Sequence, residues 1–146
     1  MPVEIKNINK IVARLKTINR RANHKKIRNK IANFLMVAIK DRTLKGEDFK
    51  GEKFIPYSVP YAKIRDKKGL PTGIVDLFFT GSMMSSMTYE TSEQSIKLFF
   101  QSTRDKNNIV NAEKAFYLDE NRNFFSLNVQ DIKNIVFMYE NYVLEE

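Results

Sequence analysis

Apolar residues recur over the first 45 positions with the step of a helix. Ile5, Ile8, Ile11 or Val12, Leu15 and Ile18 advance by threes and fours, which puts them on one helical face. The polar run "NRRANHKK" interrupts the stripe, and Asn23 is suited to cap a second helix there. That helix carries Ile27, Ile31, Phe34, Leu35, Ala38 and Ile39 on its apolar face. Gly46 stands just past its expected end, where glycine relieves the left-handed strain of a C-cap. Two helices with a short joint and one long kinked helix fit this pattern equally.

The next stretch, Gly46 to Gly73, holds four of the five glycines and three of the four prolines, which argues against a long helix or a central strand. Yet Phe49, Phe54, Ile55, Tyr57 and Tyr61 are bulky. So aromatic a loop reads as an ordered arm that docks on its own core or on a neighbouring subunit. Phe49, Phe54, Tyr57 and Tyr61 are the candidate interface residues. "IVDLFF", Ile74 to Phe79, reads as a strand or its approach. "TGSMMSSM" follows. Thr80 is suited to an N-cap, and Thr80-Gly81 to a turn. Met83, Met84 and Met87 have the spacing of one short helical turn facing a core. Asp76 is placed to hold a backbone amide or to pair with an Arg or Lys. Ser82, Ser85 and Ser86 read as a cap and the exposed side of the turn.

Thr88, Tyr89 and Thr91 favour extended structure, "SEQS" supplies turn residues and "IKLFF" a return strand, so a hairpin is expected. In "IVNAEKAFYLDEN", Ile109, Ala112 and Phe116 have helical spacing over a short span. Asn128 sits three residues before Asp131, close to a capping box. Ile132, Ile135, Val136, Tyr139 and Val143 then form a helical stripe. Helices grouped at both ends of a small antiparallel sheet make an α+β fold. The expected organisation is one domain over 1–146: a basic helical segment at 1–45, an extended arm at 46–73, and a sheet with a C-terminal helix at 74–146.

Charge sharpens this division. The net charge is +8, but residues 1–30 hold ten Lys or Arg against the single acid Glu4, while residues 31–146 hold 15 basic and 16 acidic residues. Arg14, Lys16, Arg20, Arg21, Lys25, Lys26 and Arg28 are therefore candidate contacts for DNA or for an acidic partner surface. No nucleic-acid recognition module is legible, so any such contact would be non-specific.

Candidate chemistry is sparse. Cysteine is absent, which excludes disulfides, thiolate metal sites and cysteine nucleophiles. The one histidine, His24, lies in the basic run, so histidine-based metal sites and triads have little to draw on. There is no G-x-S-x-G, no Asp-Thr-Gly and no phosphate-loop spacing. "DKNNIVNAE" lacks the central glycine and ligand spacing of a calcium loop. The reading is a non-enzyme with no cofactor and no metal. No apolar run reaches the length of a membrane span and no signal-peptide core is present, so a soluble cytoplasmic product is expected.

Four segments, in order, resemble the virion morphogenesis (tail-completion) family of tailed bacteriophages. They are "FLMVAIKDRTLKGEDFKGEKFIPYS", "YAKIRDKKG", "VDLFFTGSMMSSM" and "NRNFFSLNVQDIKNIV". The third is the most specific. Leu77, Thr80, Gly81, Met84, Ser86 and Met87 fall at or near the positions of the family's Leu-x-x-Thr-Gly-x-Leu/Met-x-x-Ser-Leu/Ile/Met signature. Ser126 stands where the family often has glycine, and "AFYLDENR" only faintly echoes the family's preceding Ala-x-x-His-x-x-Gly. The resemblance covers roughly 30–140. It implies a structural neck or tail-completion protein at the head–tail junction, assembled in the host cytoplasm and carried in the virion. Such a protein forms a homo-oligomeric ring, contacts other neck, portal-adaptor or tail proteins, and has no catalytic activity. A small non-specific DNA-binding protein is the competing reading.

Overall fold

The computed structural model describes residues 24–93 and 95–144, together with Asn9. The stripe from Ile5 to Ile18, the Asn23 cap, and Arg14, Lys16, Arg20 and Arg21 lie outside the described residues. The elements run in the order α1 (His24–Leu44), α2 (Val59–Lys67), α3 (Ser82–Ser85), β1 (Met87–Thr91), β2 (Ile96–Phe100), α4 (Asn111–Arg122) and α5 (Val129–Leu144). This is the expected α+β fold.

α1 buries Ile27, Ile31, Leu35 and Ile39 along one face, with Ala32 beside them. Its end is a Schellman cap: Gly46 N–H bonds Thr43 O, Glu47 N–H bonds Arg42 O, and Gly46 takes φ 76°. β1 and β2 form an antiparallel hairpin with Met87 opposite Phe100, Tyr89 opposite Leu98 and Thr91 opposite Ile96. Strand alternation puts Ile96, Leu98 and Phe100 into the core and leaves Lys97 in solvent. α1 lies across this hairpin. Thr91 Oγ1 bonds Asn29 Oδ1 at 3.0 Å, and Arg28 donates to Glu93 O at 3.2 Å near the hairpin tip.

α5 packs antiparallel to α1. At one end Arg42 Nη1 meets Asp131 Oδ2 at 3.0 Å and Arg42 Nη2 reaches Ser126 O at 2.6 Å. At the other, burial raises the Tyr139 phenol above its ordinary value, against the pull of the Arg28 charge. The start of α5 is a reciprocal capping box. Asp131 N–H bonds Asn128 Oδ1 at 2.7 Å, and Asn128 N–H bonds Asp131 Oδ2 at 3.0 Å. Ile135 and Tyr139 face the core, while Ile132 is largely exposed.

Three expectations need correction. The 46–73 arm is not extended throughout: Val59–Lys67 is a helix with Pro60 in its first turn and Gly69 at φ 67° just beyond it. Gly69 N–H bonds Asp66 O and Leu70 N–H bonds Arg65 O, a second Schellman cap. Here proline and glycine bracket a helix. Secondly, Ile74–Phe79 joins no strand. It is irregular chain, with Leu77 at φ 53°, held by side-chain bonds in place of a ladder. Thirdly, α4 buries Asn111, Ala115 and Asp119, and Phe116 is 51% exposed. The helix allowed by the spacing of Ile109, Ala112 and Phe116 is present, but Phe116 lies on its outer side, because polar side chains with fixed partners share the inner one. Asn111 Nδ2 donates to Ser82 Oγ and to Thr103 Oγ1, both at 3.0 Å, and Asp119 Oδ1 accepts Phe125 N–H at 2.9 Å.

Candidate functional site

The chemistry of this molecule is concentrated where α2 meets the 70–81 segment. Tyr61 and Arg65 lie four apart on α2, so they share a face. Arg65 is fully buried. Its Nε donates to Pro71 O at 2.8 Å, its Nη1 to Phe78 O at 2.7 Å, and its Nη2 to Asp76 Oδ1 at 2.9 Å. The guanidinium lies 4.6 Å from the Tyr57 ring centroid, within cation–π range. Asp76 Oδ1 also accepts Phe78 N–H at 3.0 Å and the Tyr57 hydroxyl at 3.3 Å, and that hydroxyl accepts Leu77 N–H at 3.2 Å. Burial pushes the Tyr57 phenol above its ordinary value, against the pull of the Arg65 charge. Asp76 thus does both things its position suggested, holding an amide and pairing with an arginine.

The turn after it is equally determined. Thr80 Oγ1 accepts Ser82 N–H at 3.3 Å, a turn bond; the N-cap of α3 is Gly81 and not Thr80 as expected, and it carries no side-chain cap. Gly81 sits at φ 80°, and a Cβ there would fall 2.7 Å from Phe78 Cε2. Met83, Met84 and Met87 are buried, Met87 as the first residue of β1. Of the serines, only Ser85 is on the wet side as expected. Ser86 is buried and donates to Met83 O at 2.7 Å, and Ser82 Oγ accepts from Asn111. Each of these last two hydroxyls is committed to holding the chain.

Between this turn and α4 opens a cleft of about 680 Å³. Tyr57, Tyr61 and Phe79 make its aromatic wall. Tyr57 and Tyr61 meet edge to face at 5.1 Å, and Lys68 Nζ stands 5.6 Å from the Phe79 ring centroid. Met83, Met84 and Leu118 make an apolar floor. Across it stand Lys114 and Arg122 of α4 and Asp105 of the preceding loop. Lys114 Nζ bonds Asp105 Oδ2 at 2.9 Å, and Asp105 Oδ1 accepts Asn107 and Ile109 N–H. The lysine bond, joined by these amides, holds the Asp105 carboxyl below its usual value. Arg122 differs: its Nε is out of solvent and has no acceptor among the described residues.

The candidate interface residues divide. Phe54 is 6% exposed and belongs to the molecule's own core, so it is withdrawn as a contact residue. Phe49 is half-buried, with its N–H on Asn123 O at 3.2 Å. Tyr57 and Tyr61 line the cleft. Lys25 and Lys26 are exposed at the start of α1, whereas Arg28 is half-buried against the hairpin tip. Arg65, Lys114 and Arg122 were missed in the sequence. The Pro60–Gly69 bracket and the i,i+4 pairing of Tyr61 with Arg65 were the available signals.

Among the described residues, no cluster of three or more His, Asp or Glu side chains is arranged to hold a metal ion, and no helix is long and apolar enough to cross a membrane. Fold and site together define a small basic α+β protein with an aromatic-walled cleft. No family model, curated protein or solved structure matches the chain.

Proposed function

We propose that this chain is a structural virion protein of a tailed phage. It acts as a neck or tail-completion ring subunit at the head–tail junction, without catalytic activity. The observation that carries the reading is the ordered motif series, above all Leu77-x-x-Thr80-Gly81-x-x-Met84-x-Ser86-Met87. The physical role of that segment supports it, because its side chains are spent on shaping one wall of a cleft. Exposed apolar residues elsewhere, such as Phe137 and Leu144, supply surface for subunit contacts. Light scattering of the purified protein, with labelling of the virion neck, tests the reading. A ring in either setting supports it; a monomer in solution and no ring in virions ends it.

The charge asymmetry of residues 1–30 supports a second reading, a small non-specific DNA-binding protein. Binding that falls steeply with salt, and that vanishes when the Lys and Arg of 6–30 become Ala, is its expected signature. Absence of binding near about 50 mM salt would exclude it.

A further inference from the structure

The cleft and the end of α5 lie at opposite ends of the molecule. Arg122 is joined by the short 123–128 link to the first turn of α5, and Asn123 O is tied to Phe49 N–H just past the end of α1. Met83 and Met84 lead straight into Met87, at the base of the hairpin. α5 runs away from this end. Its Tyr139 lies near Arg28, and Arg28 bonds Glu93 O by the hairpin tip. With 16 residues, α5 is about 24 Å long.

Leu144, the last described residue of α5, is 81% exposed. Glu145 and Glu146 follow it in sequence. An aliphatic side chain next to two carboxylates is the complement of this cleft. The floor and wall are apolar and aromatic, two of the floor residues are methionines that adapt to what they cover, and the partly exposed Arg122 brings a positive charge to the lining. The volume of about 680 Å³ falls in the range of sites that enclose a small ligand or a few side chains.

We propose that the Leu144-Glu145-Glu146 segment of one copy docks in the cleft of the next, with Leu144 on the methionine floor and a glutamate on Arg122. Docking of Leu144 within its own copy is excluded by position: α5 carries it about 24 Å from the first turn, which lies on the cleft side. A knob at one end and a socket at the other make a head-to-tail contact, which closes into a ring when the rotation permits. The inference rests on the ring reading for its biological meaning, but the contact itself can be tested apart from it.

The test uses the full-length chain and a fluorescent peptide of residues 139–146 with an amidated end, so that only side-chain carboxylates are offered. Anisotropy should rise on titration with the protein. Arg122→Glu should weaken capture at least about tenfold, the scale of losing a well-placed interface arginine. A peptide with Glu145→Arg and Glu146→Arg should fail on the wild-type protein and regain binding on R122E. Circular dichroism of R122E controls for folding. No capture by the wild-type protein, or equal capture by R122E, overturns the proposal. Sedimentation of full-length chains carrying the same changes separates the two readings. If the oligomer persists in R122E and in the Glu145/Glu146 variant, the ring reading stands and this contact falls. If the peptide binds while the wild-type chain stays monomeric at all concentrations, the contact between copies and the ring both fall.

Discussion

Arg65→Met is the most informative single perturbation of this fold. Methionine keeps the length and apolar stem but removes every donor. Three acceptors lose their partner: Pro71 O, Phe78 O and Asp76 Oδ1. They do not count equally. Pro71 and Phe78 are exposed residues, so water can replace the arginine at their carbonyls. Asp76 is only 8% exposed and retains one amide and one hydroxyl as donors. The stranded carboxylate therefore dominates, and removing one member of a buried pair costs about 3–5 kcal/mol. Against a total stability of about 5–15 kcal/mol that is a large share, and at this chain length it lowers Tm by about 10 °C. Asp76→Asn keeps an oxygen for Phe78 N–H but leaves the arginine unpaired, with a cost of about 3 kcal/mol. The double variant should cost little more than either single one, a coupling of about 2 kcal/mol or more. Urea unfolding of the four proteins measures it. A loss below about 1 kcal/mol for Arg65→Met, or strict additivity, would show that the knot does not hold α2 to the 70–81 segment.

Three further outcomes follow from the same geometry. Gly81→Ala should cost about 1–2 kcal/mol, the penalty for a side chain in the left-handed region; the Phe78 ring it meets is partly exposed and can swing aside, and equilibrium unfolding checks the value. Asn128→Ala removes half of the capping box and should cost about 1 kcal/mol, with amide exchange rising first in the opening turn of α5. Asp119 and Asp105 should give opposite pH slopes. Burial raises the Asp119 carboxyl from 3.8 despite its bond from Phe125 N–H, so its contribution is fully present below about 3.8 and fades as pH rises through the folded value. The Lys114 bond lowers Asp105 from 3.8, so its contribution is present above that value and fades as pH falls through the folded one. Thermal melts of Asp119→Asn should therefore gain on the wild type as pH rises above about 4, and those of Asp105→Asn should gain on it as pH falls below about 4; parallel curves would refute the assignment.

How far the fold could be read in advance depended on what kind of interaction fixes each element. α1 was legible because Ile27, Ile31, Leu35 and Ile39 repeat at helical spacing and Gly46 marks the cap. The hairpin was legible from alternation in "IKLFF", and α5 from Asn128 and Asp131, whose box formed as spaced. These are local signals, and each is satisfied within a few residues or one strand pair. Ile74–Phe79 failed as a strand for the converse reason. Its apolar composition allows a strand, but it pairs with neither strand of the described hairpin, and Arg65, Tyr57 and Asp76 hold it instead. A propensity yields when tertiary bonds satisfy the backbone another way.

The site shows the same limit more sharply. Tyr57 and Tyr61 were singled out for being aromatic in a loop, and they do form its wall. Phe54 was chosen on the same ground and is core, because composition does not say which face an aromatic side chain takes. Arg65 was hidden in "YAKIRDKKG", among lysines that are solvent-exposed. What distinguishes it is a carboxylate eleven residues on, Asp76, brought back by the bend after α2. A charge run conceals its one buried member because burial of a cation is decided by its partner. In the sequence Asp76 is suited either to a backbone amide or to an Arg or Lys. The step then available was to search the preceding helix for an arginine sharing a face with an aromatic, and Tyr61 with Arg65 is the only such i,i+4 pair between Val59 and Lys67. The knot was therefore readable from its acidic end, and the cleft it walls off follows from the knot.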